Sequence, residues 1–173
     1  MRTFEPWVGK RYDNGGIRGV RLLILGESFY NSTGRDPRTF TSEMIRQLGQ
    51  QGRFRFYTTT QRLVVGGSGW LSDAERSAFW EQVAFYNYIQ SFAPRPRWRP
   101  TPEMWTAARA PFLATLAELR PDVLLILGRQ LRQNLPVLPP ELRVCEVPHP
   151  SSGRLRYASW QPVVRAALEG NSP

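Results

Sequence analysis

Three short polar segments of the chain carry side chains that are suited to catalysis or to ligand recognition. The first is Gly26-Glu27-Ser28, the second is Asn87 within an aromatic run, and the third is the only histidine, His149, between two prolines. A carboxylate, a hydroxyl and an imidazole are the usual groups of acid–base and nucleophilic catalysis. Each segment also has a structural interpretation: a turn glycine, an asparagine that satisfies a backbone group, and a histidine in a rigid turn.

Asn87 and His149 have the strongest physical reasons for a functional role. Asn87 is flanked by Phe85, Tyr86 and Tyr88, and a buried amide among aromatic residues costs free energy unless it forms hydrogen bonds. The prolines on either side of His149 restrict the backbone, which favours a fixed position for the imidazole. The three segments together therefore predict one site.

Four runs of the sequence have strand length, and three of them lead into or contain these polar residues. We expect strands over Val20–Leu25, Val83–Gln90, Asp122–Gly128 and Arg143–Val147. Strands that are apolar almost throughout are typical of parallel sheets that are covered on both faces. Ligands of such sheets bind beyond the carboxyl ends of the strands, so we expect the polar segments to meet at that edge.

Helical patterns alternate with the predicted strands. We expect helices from about Ser42, over 54–65, and over Ser72–Trp80, Thr101–Arg120, Arg129–Leu135 and Tyr157–Leu168. This alternation predicts right-handed crossovers and a three-layer α/β/α fold with a four-stranded parallel sheet. No repeat or linker divides the chain, and we therefore expect a single domain over residues 1–173.

Length and composition indicate a globular protein. The chain has 173 residues, of which 41% are hydrophobic. No apolar run approaches the roughly 18 residues of a membrane span, and no apolar leader follows Met1, so we expect a cytoplasmic protein without membrane contact. The single cysteine, Cys145, excludes an internal disulfide and a four-cysteine zinc or iron–sulfur site. We expect a monomer without a metal or other cofactor.

The net charge of +9 points to an anionic partner. Lys10 is the only lysine, so the positive charge is carried almost wholly by arginine, which suits bidentate phosphate contacts and stacking on bases. DNA or a nucleotide is the expected partner. A basic surface without such a partner is the alternative, since GC-rich coding also favours arginine.

The order of the polar segments resembles that of the uracil-DNA glycosylase superfamily. That superfamily has a four-stranded parallel sheet, a first motif after strand one, a base-recognising asparagine on strand two, and a His-Pro-Ser motif after the last strand. The matching segments are Gly26-Glu27-Ser28-Phe29-Tyr30-Asn31, Phe85-Tyr86-Asn87 and His149-Pro150-Ser151-Ser152. The resemblance covers about residues 18–170, and its most specific part is the His-Pro-Ser loop.

The resemblance implies that a nucleotide leaves the DNA stack and that its base enters a pocket. Asn87 would contact the Watson–Crick edge of the base, and His149 would donate to the base oxygen on which charge develops. Tyr30 would exclude bulky substituents, and Leu155 would take the place of a duplex wedge. The implied catalytic residues are Glu27, Ser28 and His149, and the implied substrate contacts are Gly26, Phe29, Tyr30, Asn87, Pro150, Ser151, Ser152 and Leu155, with Ser151 and Ser152 holding a flanking phosphate.

The first motif departs from the best-known branch of that superfamily. Ser28 stands where an aspartate orients the attacking water, and Glu27 supplies a carboxylate one residue earlier, as in the iron–sulfur branch. The cysteine ligands of that branch are absent, and the chain is most similar to bacterial proteins of unassigned activity that have Gly-Glu-Ser at this point. Glycosidic hydrolysis is the expected activity, and a non-catalytic nucleotide- or DNA-binding module on the same fold is the alternative.

A second class of enzyme has a comparable order of residues. In SGNH-type esterases a serine follows strand one, and an acidic residue precedes the histidine by three positions. Here Ser28 would be the nucleophile, His149 its base and Glu146 the orienting acid. However, the glycine and asparagine of the oxyanion hole in those enzymes are not evident.

Overall fold

A mixed sheet of five strands organises the chain. A computed structural model describes residues 2–30, 35–67, 69–95 and 98–170, and Asn31 of the first motif lies outside them. The strands are β1 (Trp7–Val8), β2 (Leu22–Gly26), β3 (Ala84–Asn87), β4 (Val123–Leu127) and β5 (Arg143–Val147). They lie in the order β1-β3-β2-β4-β5, with β2 to β5 parallel and β1 antiparallel to β3.

The α/β class and the four predicted strands are confirmed, but the prediction of a purely parallel, four-stranded sheet is wrong. The additional strand, β1, consists of two residues that pair with Phe85 and Ala84 at the sheet edge. Two residues cannot show the alternation by which a strand is detected in a sequence. The five-residue strands β2 and β4 are buried throughout, as the apolar runs predict.

Seven α-helices and one π-helical segment are present in the described part of the chain. They are α1 (Pro37–Met44), the π-helical segment (Ile45–Gln51), α2 (Arg55–Val65), α3 (Asp73–Trp80), α4 (Pro102–Ala107), α5 (Arg109–Leu119), α6 (Arg129–Asn134) and α7 (Tyr157–Glu169). A capping box of Ser72 and Glu75 begins α3 as predicted, and the Thr101 hydroxyl caps α4.

Two of the predicted helix boundaries are wrong. The first helix begins at Pro37 instead of Ser42, because Asp36 accepts a hydrogen bond from the Arg38 amide and Pro37 fits the first helical position. The single helix expected over 101–120 is two, α4 and α5. Pro111 has no amide hydrogen to donate to the carbonyl four residues earlier, so the helical ladder cannot continue through this point.

Side chains of alternate strand residues pack into separate clusters on the two faces of the sheet. Leu22 and Ile24 belong to one cluster, which also contains residues of α1, α2, α3 and α7. Leu23 and Leu25 belong to the other, which is covered by α4 and α5. The sheet is therefore flanked by helices on both faces. The two ends of the strands, which form the amino and carboxyl edges of the sheet, are left open.

A polar clamp joins the amino ends of β2 and β4. The Asp122 carboxylate accepts from the Arg21 amide at 2.7 Å and from the Arg21 guanidinium at 3.0 Å. The hydrogen bond from Arg21 lowers the pKa of the Asp122 carboxyl. This clamp lies at the sheet edge opposite the predicted site.

The described part of the chain contains no helix with the length and apolar character of a membrane span.

Candidate functional site

The carboxyl ends of β2, β3, β4 and β5 lie at one edge of the sheet. Gly26 and Asn87 are register partners at the ends of β2 and β3. At the ends of β4 and β5, the Gly128 amide donates to the Val147 carbonyl at 2.9 Å. The chain continues from these points into Glu27-Ser28 and His149, and the parallel topology thereby brings the three polar segments to the same edge.

Asn87 is held against the bare backbone of Gly26. A Cβ atom on residue 26 would come within 2.1 Å of the Asn87 Oδ1 and 3.1 Å of the Phe85 ring, so only glycine fits without movement. Asn87 is 4% exposed, and its side-chain amide forms no hydrogen bond with any residue that the structure describes. The polar atoms of this amide are not among the fully buried ones without a partner, so solvent still reaches them and their donor and acceptor suit a bound polar group.

Glu27 is half-buried directly after Gly26. Its backbone carbonyl accepts from the Ile89 amide at 2.8 Å, which fixes the position of the main chain beside β3. Within the described residues its carboxylate has no ion-pair partner, and burial raises the pKa of this carboxyl above its usual value. A desolvated carboxylate with a raised pKa is suited to accept a proton from water. The neighbouring Ser28 is half-buried as well.

Phe29 and Tyr30 lie in different environments. The Phe29 ring is buried, with its centroid 5.3 Å from that of Phe4 and 4.8 Å from that of Phe40. Phe29 is thus part of the hydrophobic core beneath the edge. Tyr30 is 43% exposed and forms a bridge with Ala93, so its ring is available to a ligand at the surface.

The loop after β5 fixes the tautomer of His149. The Ser151 amide donates to the His149 Nδ1 at 3.2 Å, so Nδ1 is the acceptor and the proton of the neutral ring lies on Nε2. The Ser152 amide also donates to the His149 carbonyl at 2.7 Å. Nε2–H is therefore available as a hydrogen-bond donor to a ligand.

Partial desolvation favours the neutral imidazole, although His149 as a residue is exposed. The ring centroid of Phe56, in α2, lies 5.4 Å from that of His149, and the Gly128 backbone approaches from the other strand end. Burial by these neighbours lowers the pKa of His149 below its usual value of 6.5. The Phe56 ring is also 6.2 Å from Phe85, which contacts Gly26, so aromatic rings connect the first segment with the third.

The remaining residues of the His149 loop form one wall of a cleft of about 320 Å³. Pro150, Ser152 and Leu155 line it, whereas Ser151 is exposed. Leu155 is half-buried and packs against the core. The Ser152 hydroxyl accepts from the Arg154 amide at 3.2 Å, which holds it within the loop.

Other residues that line this cleft were not identified from the sequence. Arg53, Arg55, Arg62, Trp70 and Tyr157 line it. Arg53 and Arg55 flank an aromatic residue at the start of the helix predicted over 54–65, and alternation of arginine with aromatic residues is the signal that could have found them.

The geometry gives no support to a serine–histidine–acid triad. In such a triad Nδ1–H of the histidine donates to the acid, but the His149 Nδ1 here accepts from an amide. No hydrogen bond joins Ser28, His149 and Glu146 in the described part of the chain. We therefore do not propose esterase activity.

No group of three or more histidine, cysteine or acidic residues could hold a metal ion among the described residues. Cys145 is buried in β5, and burial raises the pKa of its thiol to about 11, so it is neither a thiolate nucleophile nor a ready ligand at neutral pH.

No family model and no curated protein matches the chain.

Proposed function

We propose that the protein binds a nucleobase, flipped out of DNA, at the carboxyl edge of the sheet and hydrolyses its N-glycosidic bond. The observation that carries this proposal is the Asn87 amide on Gly26, in a residue that is only 4% exposed and whose side chain has no hydrogen-bond partner among the described residues. An amide with one donor and one acceptor available matches the paired acceptor and donor on the edge of a base. The Asn87 amide alone would bind a base without cleaving its bond to the sugar, so cleavage requires further groups.

His149 supports cleavage because its neutral ring offers a fixed Nε2–H. When the bond between the base and C1′ breaks, the electron pair leaves with the base, and negative charge develops on a base oxygen. A donor that is already oriented stabilises this charge without the cost of reorganisation. The Ser151 amide supplies that orientation through Nδ1.

Glu27 supports the other half of the reaction. The oxygen of a water molecule forms a bond to C1′, and the proton of that water passes to the Glu27 carboxylate. Because burial raises the pKa of Glu27, the carboxylate is a better proton acceptor than an exposed glutamate. Glu27 pairs with no described arginine, which favours hydrolysis over a purely binding role.

A panel of modified oligonucleotides tests the proposal. We expect release of at least one base from single- or double-stranded DNA that contains uracil, hypoxanthine or xanthine, measured under single-turnover conditions. We also expect affinity for DNA to fall steeply with salt, since arginine contacts to phosphate release counterions. Uniform inactivity with retained binding would leave only the binding module, and weak binding without salt dependence would remove DNA as the partner.

Asn87→Asp should change which base the protein accepts. The carboxylate lacks the amide donor, so a base that presents an acceptor to Asn87 loses a hydrogen bond and meets a charge instead. We expect release of the preferred base to fall about 10- to 100-fold, consistent with one lost hydrogen bond to a buried group. The same panel measures the change, and Asn134→Asp, a change at an amide in α6, is the matched control. An unchanged ranking of bases would show that Asn87 does not read the base.

A further inference from the structure

The cleft beside the His149 loop is lined by positively charged side chains. Its volume is about 320 Å³, and among the residues that the structure describes it is lined by three arginines, Arg53, Arg55 and Arg62, and by no acidic residue. The only ion pair of Arg53 with a described residue is the 3.6 Å contact with Asp73, in which both side chains are mostly exposed. Such an exposed pair contributes little, so the cleft keeps a positive potential.

Trp70 adds an aromatic surface to this positive cleft. It is 71% exposed, more than any other aromatic residue in the described part of the chain. The Arg62 guanidinium lies 5.3 Å from the Trp70 ring centroid and 4.3 Å from that of Tyr157, and these cation–π contacts hold the indole at the cleft. An exposed indole beside arginines suits the stacking of an unpaired base whose phosphate is bound alongside.

A small recess next to the cleft offers a further polar group. Gln61 lines it together with Arg53, Arg62 and Trp70, and its volume of about 10 Å³ is enough for one water-sized group. Gln61 is fully buried, and its Oε1 has no hydrogen-bond partner among the described residues. This oxygen can accept from an amino group of a stacked base or from a water that bridges to it.

The cleft and the proposed base site share the loop after β5. Pro150 and Ser152 line the cleft, while His149 of the same loop faces Phe56 of α2. Leu155 packs against the core beside the cleft and does not stand out as a wedge for a duplex. A strand bound at both places would run along this loop, and its base in the cleft would be unpaired.

We propose that this cleft is a binding site for single-stranded DNA, in which Trp70 stacks on an unpaired base and Arg53 and Arg55 contact the adjacent phosphates. The site extends the proposed function, because the strand that it holds is the one whose base enters the pocket. It also makes the protein prefer single-stranded over duplex DNA, since a paired base is not free to stack on Trp70.

Binding of a short fluorescein-labelled strand of undamaged bases tests this site by anisotropy. We expect Trp70→Ala to weaken single-strand binding about tenfold or more, the loss of one base–aromatic stack, and Trp70→Phe to retain most of the affinity. Arg55→Ala should reduce the slope of log K against log salt by about 0.7. Arg120→Asn removes one positive charge at the amino end of β4 in a left-handed conformation that asparagine tolerates, and it is the matched control.

The inference is overturned if Trp70→Ala and Arg55→Ala bind the single strand no more weakly than Arg120→Asn does. It is also overturned if these two substitutions weaken binding of the duplex probe as much as binding of the single strand. Failure of the proposed function gives a different result. In that case no base is released from any modified oligonucleotide, while Trp70→Ala still weakens binding of the undamaged strand.

Discussion

Glu27→Gln should reduce single-turnover base release about 10²- to 10⁴-fold, the usual contribution of a general base. The amide keeps the size and polarity of the side chain but cannot accept a proton from water. Affinity for the oligonucleotide should change little, because the reading of the base rests on Asn87. The release rate and the dissociation constant, measured on the preferred base of the panel, separate the two effects.

The same substitution should stabilise the protein. Burial raises the pKa of Glu27 above 4.5, so the folded state favours the protonated carboxyl and ionisation opposes folding. The difference in unfolding free energy between Glu27→Gln and the parent is absent below pH 4.5 and grows as pH rises through the raised pKa. Denaturant melts over this range measure it, and Glu141→Gln, at an exposed carboxylate, is the control.

A variant that loses activity while gaining stability identifies Glu27 as a functional carboxylate. A variant that loses both would indicate that Glu27 holds the loop in place, and full retention of the release rate would exclude it as the base.

His149→Ala should lower single-turnover base release about 10²- to 10³-fold, the cost of removing one oriented donor to a developing oxyanion. His149→Gln retains an N–H donor, but its amide has no Nδ1 acceptor for Ser151 and is oriented less firmly. We expect its rate to lie between those of the parent and the alanine variant. If His149→Ala weakens binding while leaving the rate on bound DNA unchanged, the imidazole contributes to ground-state binding alone.

The rate of base release by the parent protein should decline only on the acidic side of its pH profile. Protonation of Glu27, with its raised pKa, removes the base, and protonation of His149, with its lowered pKa, places a proton on Nδ1 against the Ser151 amide. Both events reduce the rate as pH falls, so activity rises with pH to a plateau. The profile of Glu27→Gln should lose the part of this decline that belongs to the carboxyl.

The strands that position the site could be predicted because burial on both faces leaves a clear pattern. The apolar runs of β2 and β4 are detectable in sequence, and the parallel pairing of β2 with β4 and of β4 with β5 sets Glu27 and His149 at one edge. Strand β1 could not be predicted from two residues, since it depends on pairing with β3, which is distant in sequence.

Within the site, the residue types could be predicted but not their contacts. Phe29 directly follows Gly26-Glu27-Ser28 and is therefore predicted to contact the substrate. Its ring packs in the core instead, because the main chain after β2 continues beside residues 88–93. The tautomer of His149 depends on an amide two residues away, and the arginines of the cleft lie in α2 or just before it, in a segment that no motif connects with the His149 loop. Such relations arise from tertiary packing.

The Arg21–Asp122 clamp has a consequence for how this protein can change over time. It fixes β2 and β4 at the ends of the strands that are farthest from Glu27 and His149. Substitutions in the loops at the carboxyl ends can therefore be accepted without loosening the scaffold, so that new substrate preferences can evolve on a conserved frame. Libraries that vary residues 27–30 and 149–155 while retaining Arg21 and Asp122 should yield a higher proportion of folded variants than libraries that also vary the clamp.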